Sequence, residues 1–132
     1  MKTVFLDTNA YSDWVRSGRW AAEILTAEEV WISPVVLGEL RVGFLGGGRT
    51  QENEALLQSF LQSPQVHLCS IGDESSKLYA ELKHDLDKRG SPLPVNDIWI
   101  AASCLEQGNT LLTRDCHFEK LPQLRVRWPD EG

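Results

Sequence analysis

Cysteine is scarce in this chain. Its 132 residues hold three, Cys69, Cys104 and Cys116, an odd number with no C-x-x-C pair. That argues against a disulfide framework and makes a reducing cytoplasm the simpler setting. No apolar run reaches the ~18 residues that a membrane-spanning helix needs. The opening MKTVFLDTNA has three apolar residues, Val4 to Leu6, before Asp7, too few for a secretory leader, so no membrane association is expected. Internal repeats and low-complexity tracts are missing, and the glycine run Gly46 to Gly48 is too short to act as an interdomain linker. Residues 1–132 are expected to form one domain. Positive charge is also in deficit, with 13 Lys and Arg against 19 Asp and Glu and a net charge of −6. This disfavours a general DNA coat or a polybasic membrane binder, but not a nucleic-acid enzyme with clustered carboxylates. What the chain does have is 42% hydrophobic residues, enough for a core and too many for a disordered tail.

Those residues alternate between strand-like and helix-like patterns. Thr3–Leu6 reads as a short buried strand. Helices are expected over about Tyr11–Ser17, closed by Gly18, and about Trp20–Glu28. Val30–Ser33 is the next strand. Ser33-Pro34 then starts a helix to about Leu45, with Ser at N-cap and Pro at N1. Thr50 is expected to cap a helix to about Gln62, and Gln65–Ile71 to form a strand. Asp73 is expected to cap a long helix with Leu78, Leu82 and Leu86 on one face, ended by Gly90. Asn96 is expected to cap a helix from Asp97 to Gln107, stopped by Gly108. Asn109–Thr113 and Leu124–Trp128 complete the strands. Apolar strands alternating with helices predict an α/β fold, a central mainly parallel sheet with helices on both faces. Ligands of such sheets sit at the carboxyl ends of the strands.

Acidic residues fall there. Asp7 follows the first strand at once and Asp115 follows Asn109–Thr113 closely. Asp97 opens a helix, and Glu39 lies in an otherwise apolar helical stretch between Leu37 and Leu40. Singly, Asp7 and Asp115 read as helix caps, Asp97 as an acid favoured by the helix dipole, and Glu39 as half of an ion pair. Together, four acids on one edge would repel one another unless a cation sat among them. The donors are all oxygens, which suits Mg²⁺ or Mn²⁺.

The segments VFLDTNAYSDWV, SPVVLGELRVG, VNDIWIAASCLEQGNTLLTRDCHF and the closing LRV resemble the PIN-domain ribonucleases, and within them the VapC/FitB-like toxins of bacterial toxin–antitoxin pairs. The resemblance covers about residues 3–128, and NDIWIAA followed by LLTRD is its most specific stretch. It implies a PIN-like three-layer α/β/α sandwich acting as a metal-dependent endoribonuclease. The acidic set would be Asp7, Glu39, Asp97 and Asp115, holding Mg²⁺ or Mn²⁺. Thr113 would be the supporting hydroxyl, and Asn9 falls where the family often has Ser, Asn or Thr. Some members carry a further acid where this chain has His117. The resemblance also implies an RNA substrate, a cognate antitoxin of the VapB/FitA kind and a homodimer.

Basic residues must hold RNA despite the net negative charge. Arg41, Arg49, Lys88, Arg89 and Arg114 are candidates, and Arg114, beside Asp115, is the foremost phosphate contact. Thr113 and Asn9 join it as candidate substrate-binding residues. Cys116-His117 looks like a zinc or nucleophile pair, but without a second spaced pair of ligands it reads as structural or incidental. The five Trp residues read mostly as core or interface, with a partner groove as the alternative for Trp14 and Trp20 on neighbouring short helices. Rival functions fit less well. A phosphatase of the HAD type wants D-x-D where this chain has Asp7-Thr8-Asn9. A receiver domain wants a Lys after a late strand, where Thr113-Arg114-Asp115 stands. A non-catalytic PIN-like RNA-binding or scaffold module predicts a broken acidic set.

Overall fold

The computed structural model describes residues 2–130. Its elements are β1 (Thr3–Leu6), α1 (Thr8–Ser17), α2 (Ala21–Thr26), β2 (Glu29–Ile32), α3 (Pro34–Gly46), α4 (Thr50–Leu61), β3 (Val66–Leu68), α5 (Asp73–Lys88), α6 (Val95–Gln107), β4 (Thr110–Leu112), a 3₁₀ turn (Cys116–Lys120) and β5 (Val126–Arg127). The five strands form one sheet in the order β3-β2-β1-β4-β5, and every neighbouring pair is parallel. The expected α/β sandwich with a parallel sheet is therefore present.

The chain winds outward from β1 through β2 to β3, then crosses back to β4 on the other side of β1. By the near-universal right-handedness of parallel crossovers, this order assigns α1 to α4 to one face and α5 and α6 to the other. The winding reverses between β1 and β4, and at such a point the crevice beyond the strand ends is left uncovered. Register fixes what lies there. Leu6 pairs with Leu112, so Asp7 and Thr113 leave the sheet side by side. The central strands are wholly apolar inside, with Phe5, Leu6, Leu111 and Leu112 fully buried. β2 instead alternates half-buried and buried residues, its half-buried Trp31 stacked on His67 of the short edge strand β3.

Several helix starts differ from expectation, each for a local reason. α1 begins at Thr8, three residues early, because the Asp7 carboxylate accepts the Ala10 N–H at 2.8 Å. Ser33 caps α3 as expected, accepting from the Val36 N–H. Thr50 does not cap α4; its hydroxyl donates back to the Phe44 carbonyl at the end of α3. Asp73 is the first residue of α5, and Ser75 accepts the Gly72 N–H. Asn96 lies inside the first turn of α6, one residue past Val95, and its amide is engaged elsewhere. The expected strand at Gln65–Ile71 shortens to Val66–Leu68, and Leu124–Trp128 to Val126–Arg127.

Trp20 is the one described non-glycine residue with positive φ, at 72°. That conformation costs an L-residue about 1–2 kcal/mol. Trp20 is nonetheless buried in the core, 4% exposed, with its indole Nε1 lacking a hydrogen-bond partner. Trp20 therefore does not line a surface groove. Trp14 is half-buried against the core, edge-to-face with Tyr11 and Phe60. Among the described residues no helix is long and apolar enough to cross a membrane.

Candidate active site

The centre of the site is the pair of strand ends, β1 and β4. Asp7 is 4% exposed, and both its oxygens are engaged. Oδ1 accepts the Ala10 N–H at 2.8 Å, and Oδ2 accepts the Thr113 hydroxyl. Thr113 is itself fully buried and takes the Asp115 N–H at 3.0 Å. One hydroxyl thus ties together the acids that follow the two central strands.

Asp115 leaves β4 and caps the 3₁₀ turn, accepting the His117 N–H at 2.9 Å. The turn swings the His117 ring back onto the same carboxylate, with Nδ1 3.2 Å from Oδ1. Asp97 projects from the first turn of α6. Asp97, Asp115 and His117 each offer a donor atom, and these atoms all lie within 4.8 Å of one another. Glu39 arrives from the second turn of α3. Its Oε1 accepts the Thr8 hydroxyl at 2.5 Å, and its Oε2 accepts the Asn96 amide at 3.3 Å.

Electrostatics report the crowding. Burial raises the Asp7 carboxyl from 3.8 to about 6, against the hydrogen bonds from Thr113 and Ala10, with Asp115 and Asp97 adding repulsion. Burial likewise raises Asp97 to about 6, helped by Asp115 and Glu39 and opposed by His117. Two carboxyls that resist ionisation beside two further acids form a site that favours a bound cation. The donors are hard oxygens with one imidazole beside them, a set that fits a divalent ion.

Of the four expected acids, Asp97 and Asp115 come together with His117, Asp7 is tied to Asp115 through the Thr113 hydroxyl, and Glu39 adjoins α6 through Asn96. The other expected residues divide. Thr113 is buried beneath the acids. Asn9 is exposed on the first turn of α1. Arg114 is half exposed at the rim, its guanidinium 2.7 Å from Asp13. Arg41 lies away from the acids, clamped bidentately to Glu54 between α3 and α4, and Arg89 is bound to Asp85 and the Lys120 carbonyl. Thr8, Asn96 and His117 join the site without a clear signal in the sequence. Thr8 sits beside Asp7 in the chain, so only the tertiary approach of α3 reveals its role. His117 has Asp115 two residues away in sequence, but its other neighbour, Asp97, comes from 20 residues upstream on another element.

A groove of about 270 Å³ opens beside Glu39 between α1, α3 and α4, lined by Thr8, Tyr11, Arg16, Phe44 and Asn53 among others. It continues into an apolar hollow formed by Tyr11, Trp14, Val15, Leu56, Ser59 and Phe60.

The chain is similar to several known proteins. The chain is 29% identical over 116 residues to Ribonuclease VapC5 of Mycobacterium tuberculosis, covering 88% of this chain and 85% of that one. It is 28% identical over 121 residues to Toxin FitB of Neisseria gonorrhoeae, covering 85% and 87%. Among solved structures, it resembles VapBC2 of Rickettsia felis bound to a promoter DNA fragment with a TM-score of 0.86, at 22% identity over 97% of this chain and 99% of that one. The PIN domain profile matches residues 4–124, which takes in both central strands and all four acids, and the chain accordingly belongs to the PIN domain family.

Proposed function

We propose that this protein is an endoribonuclease that hydrolyses RNA phosphodiester bonds with Mg²⁺ or Mn²⁺, and that it is the toxin of a VapBC-type toxin–antitoxin pair. The observation that supports it most is the convergence of Asp7, Glu39, Asp97 and Asp115 at the point where the sheet reverses, in a PIN-family chain whose relatives include named ribonucleases. In this reading Asp7, Asp97 and Asp115 hold the ion directly or through water, and Glu39 holds a second ion or orients the attacking water. The ion, once bound, lowers the pKa of a water and neutralises charge building on the phosphate.

The chain's own residues do the rest. Thr113 and the Ala10 N–H aim the Asp7 carboxylate and favour its ionised form. Thr8 and Asn96 hold Glu39 with both oxygens directed into the site. Arg114 and Asn9, at the rim, contact the RNA backbone, which positions the strand without reading its bases. Thr113, being buried, acts on RNA only through Asp7.

The same reading extends to assembly. Residues 1–132 act as one domain. A cognate antitoxin covers the groove from Glu39 to Trp14, and the toxin forms a homodimer. Several structural neighbours are toxin–antitoxin complexes, among them VapBC-1 of nontypeable Haemophilus influenzae, with a TM-score of 0.85 at 20% identity. An RNA substrate and free thiols suit the cytoplasm. The test is cleavage of structured and unstructured RNA by purified protein with EDTA, Mg²⁺ or Mn²⁺. Cleavage that appears only with added ion supports the proposal, and equal cleavage in EDTA contradicts it.

A further inference from the structure

We propose that His117 supplies a nitrogen ligand to the ion held by Asp97 and Asp115, so that the site takes Mn²⁺ in marked preference to Mg²⁺. The inference rests on the metal-dependent reading above and refines its donor set. Among the described residues, Asp97, Asp115 and His117 form the one group of acids, cysteines and histidines whose donor atoms come within 4.8 Å of one another. Ligands at about 2.1 Å from a six-coordinate ion stand about 3 Å apart on adjacent corners and about 4.2 Å apart on opposite ones. His117 Nδ1 lies 3.2 Å from Asp115 Oδ1, the spacing of adjacent corners.

The local chain holds that spacing. Asp115 caps the 3₁₀ turn and accepts the His117 N–H, so acid and imidazole are fixed two residues apart on one side of the turn. The ring is exposed, with a side-chain accessibility of 52%. Among the described residues, Asp115 is the one acid within ion-pair range of the imidazole. Asp97 completes the group from α6, a separate element, so the juxtaposition is tertiary rather than an accident of sequence neighbours.

An imidazole changes which ion is favoured. Carboxylates suit Mg²⁺ and Mn²⁺ alike, whereas an imidazole nitrogen adds affinity for a first-row transition ion and little for Mg²⁺. A histidine that merely oriented Asp115 would help both ions equally. The two roles therefore separate in the ratio of affinities rather than in activity.

The experiment measures Mn²⁺ and Mg²⁺ binding by calorimetry for the native protein, His117→Asn and His117→Ala, with circular dichroism to confirm folding. Electron spin-echo spectra of the Mn²⁺-loaded proteins report directly bound nitrogen. The proposal expects a nitrogen coupling in the native protein that disappears in both variants. It also expects Mn²⁺ affinity to fall about tenfold or more, as loss of a metal-shell group does, while Mg²⁺ affinity changes less than about twofold. No nitrogen coupling in the native protein, or an equal loss for both ions, overturns the nitrogen ligand and leaves the carboxylate site standing. A folded native protein that binds neither ion overturns the metal reading as well.

Discussion

The Thr113 hydroxyl, at the end of β4, donates to Asp7 Oδ2 at the end of β1. Because β1 and β4 are parallel neighbours in register, this contact is a direct product of strand order, and it holds an acid in place where the sheet reverses. Thr113→Val keeps the shape and removes the donor. The Asp7 carboxyl then loses the strongest influence lowering its pKa and climbs further above about 6. A buried polar group left without a partner costs ~1–3 kcal/mol. Metal affinity at pH 7 should fall by about tenfold or more, as it does when a group supporting a metal ligand is lost, with Thr113→Ser restoring most of it. Calorimetric titration of the three proteins checks this.

The pH dependence of the metal-free protein follows from the raised carboxyls. Asp7 and Asp97 titrate near 3.8 when unfolded and at about 6 in the fold. Between those values the folded state holds more protons, so their contribution to stability is greatest below about 4 and is lost as pH rises through 6. One pKa unit corresponds to ~1.4 kcal/mol, so ionised Asp7 costs the fold on the order of 2–3 kcal/mol at pH 7. Asp7→Asn has no such penalty. Urea unfolding in EDTA should show the stability of Asp7→Asn, relative to native, increasing from pH 4 to pH 7. A difference independent of pH would argue against the burial and repulsion described here.

Trp14 and Trp20 should behave oppositely. Trp20 is buried despite its left-handed backbone, and Trp20→Ala should cost about 3–5 kcal/mol as a large core truncation. Trp14 borders the hollow against Phe60. Trp14→Ala should cost less stability but weaken copurification with the cognate antitoxin from the neighbouring reading frame. Thermal melts and a pull-down separate the two effects.

Arg114 is held by Asp13 at 2.7 Å on the rim. Arg114→Ala should raise the KM for RNA several-fold and flatten its salt dependence, as the loss of one phosphate contact does. Asp13→Ala frees the guanidinium and should leave RNA affinity level or higher. Steady-state cleavage at two salt concentrations checks both variants.

How far these features are legible in the chain varies with their physical origin. The apolar segments that form β1 and β4 and the Ser33-Pro34 start of α3 follow from local patterning. Asp7 and Asp115 are readable because acids directly after apolar strands must emerge at the carboxyl edge. Glu39 stands out as a charge among apolar neighbours. Thr50, Asp73 and Asn96 look like caps in sequence, but the capping propensity of a side chain says nothing about a competing tertiary partner; Asn96 donates to Glu39 instead. For Trp20 the sequence leaves core and partner groove open, because nothing local announces a left-handed turn that carries an indole inward. His117 looks incidental for want of a second spaced pair of ligands, and its proximity to Asp97 exists only in the folded chain.

The central proposal is that Asp97 and Asp115 hold one ion, with Asp7 and Glu39 beside it. Thermal melting of native, Asp97→Asn and Asp115→Asn proteins, each in EDTA and in saturating Mg²⁺ or Mn²⁺, tests it most directly. A ligand that binds only the folded state raises stability by RT ln(1 + [L]/Kd), so the native protein should melt higher with metal. Each variant removes one repelling charge and should melt level with or above native in EDTA, with a much smaller metal-induced rise. Variants that melt lower in EDTA yet keep the full metal-induced rise would show that Asp97 and Asp115 are structural caps that share no metal site.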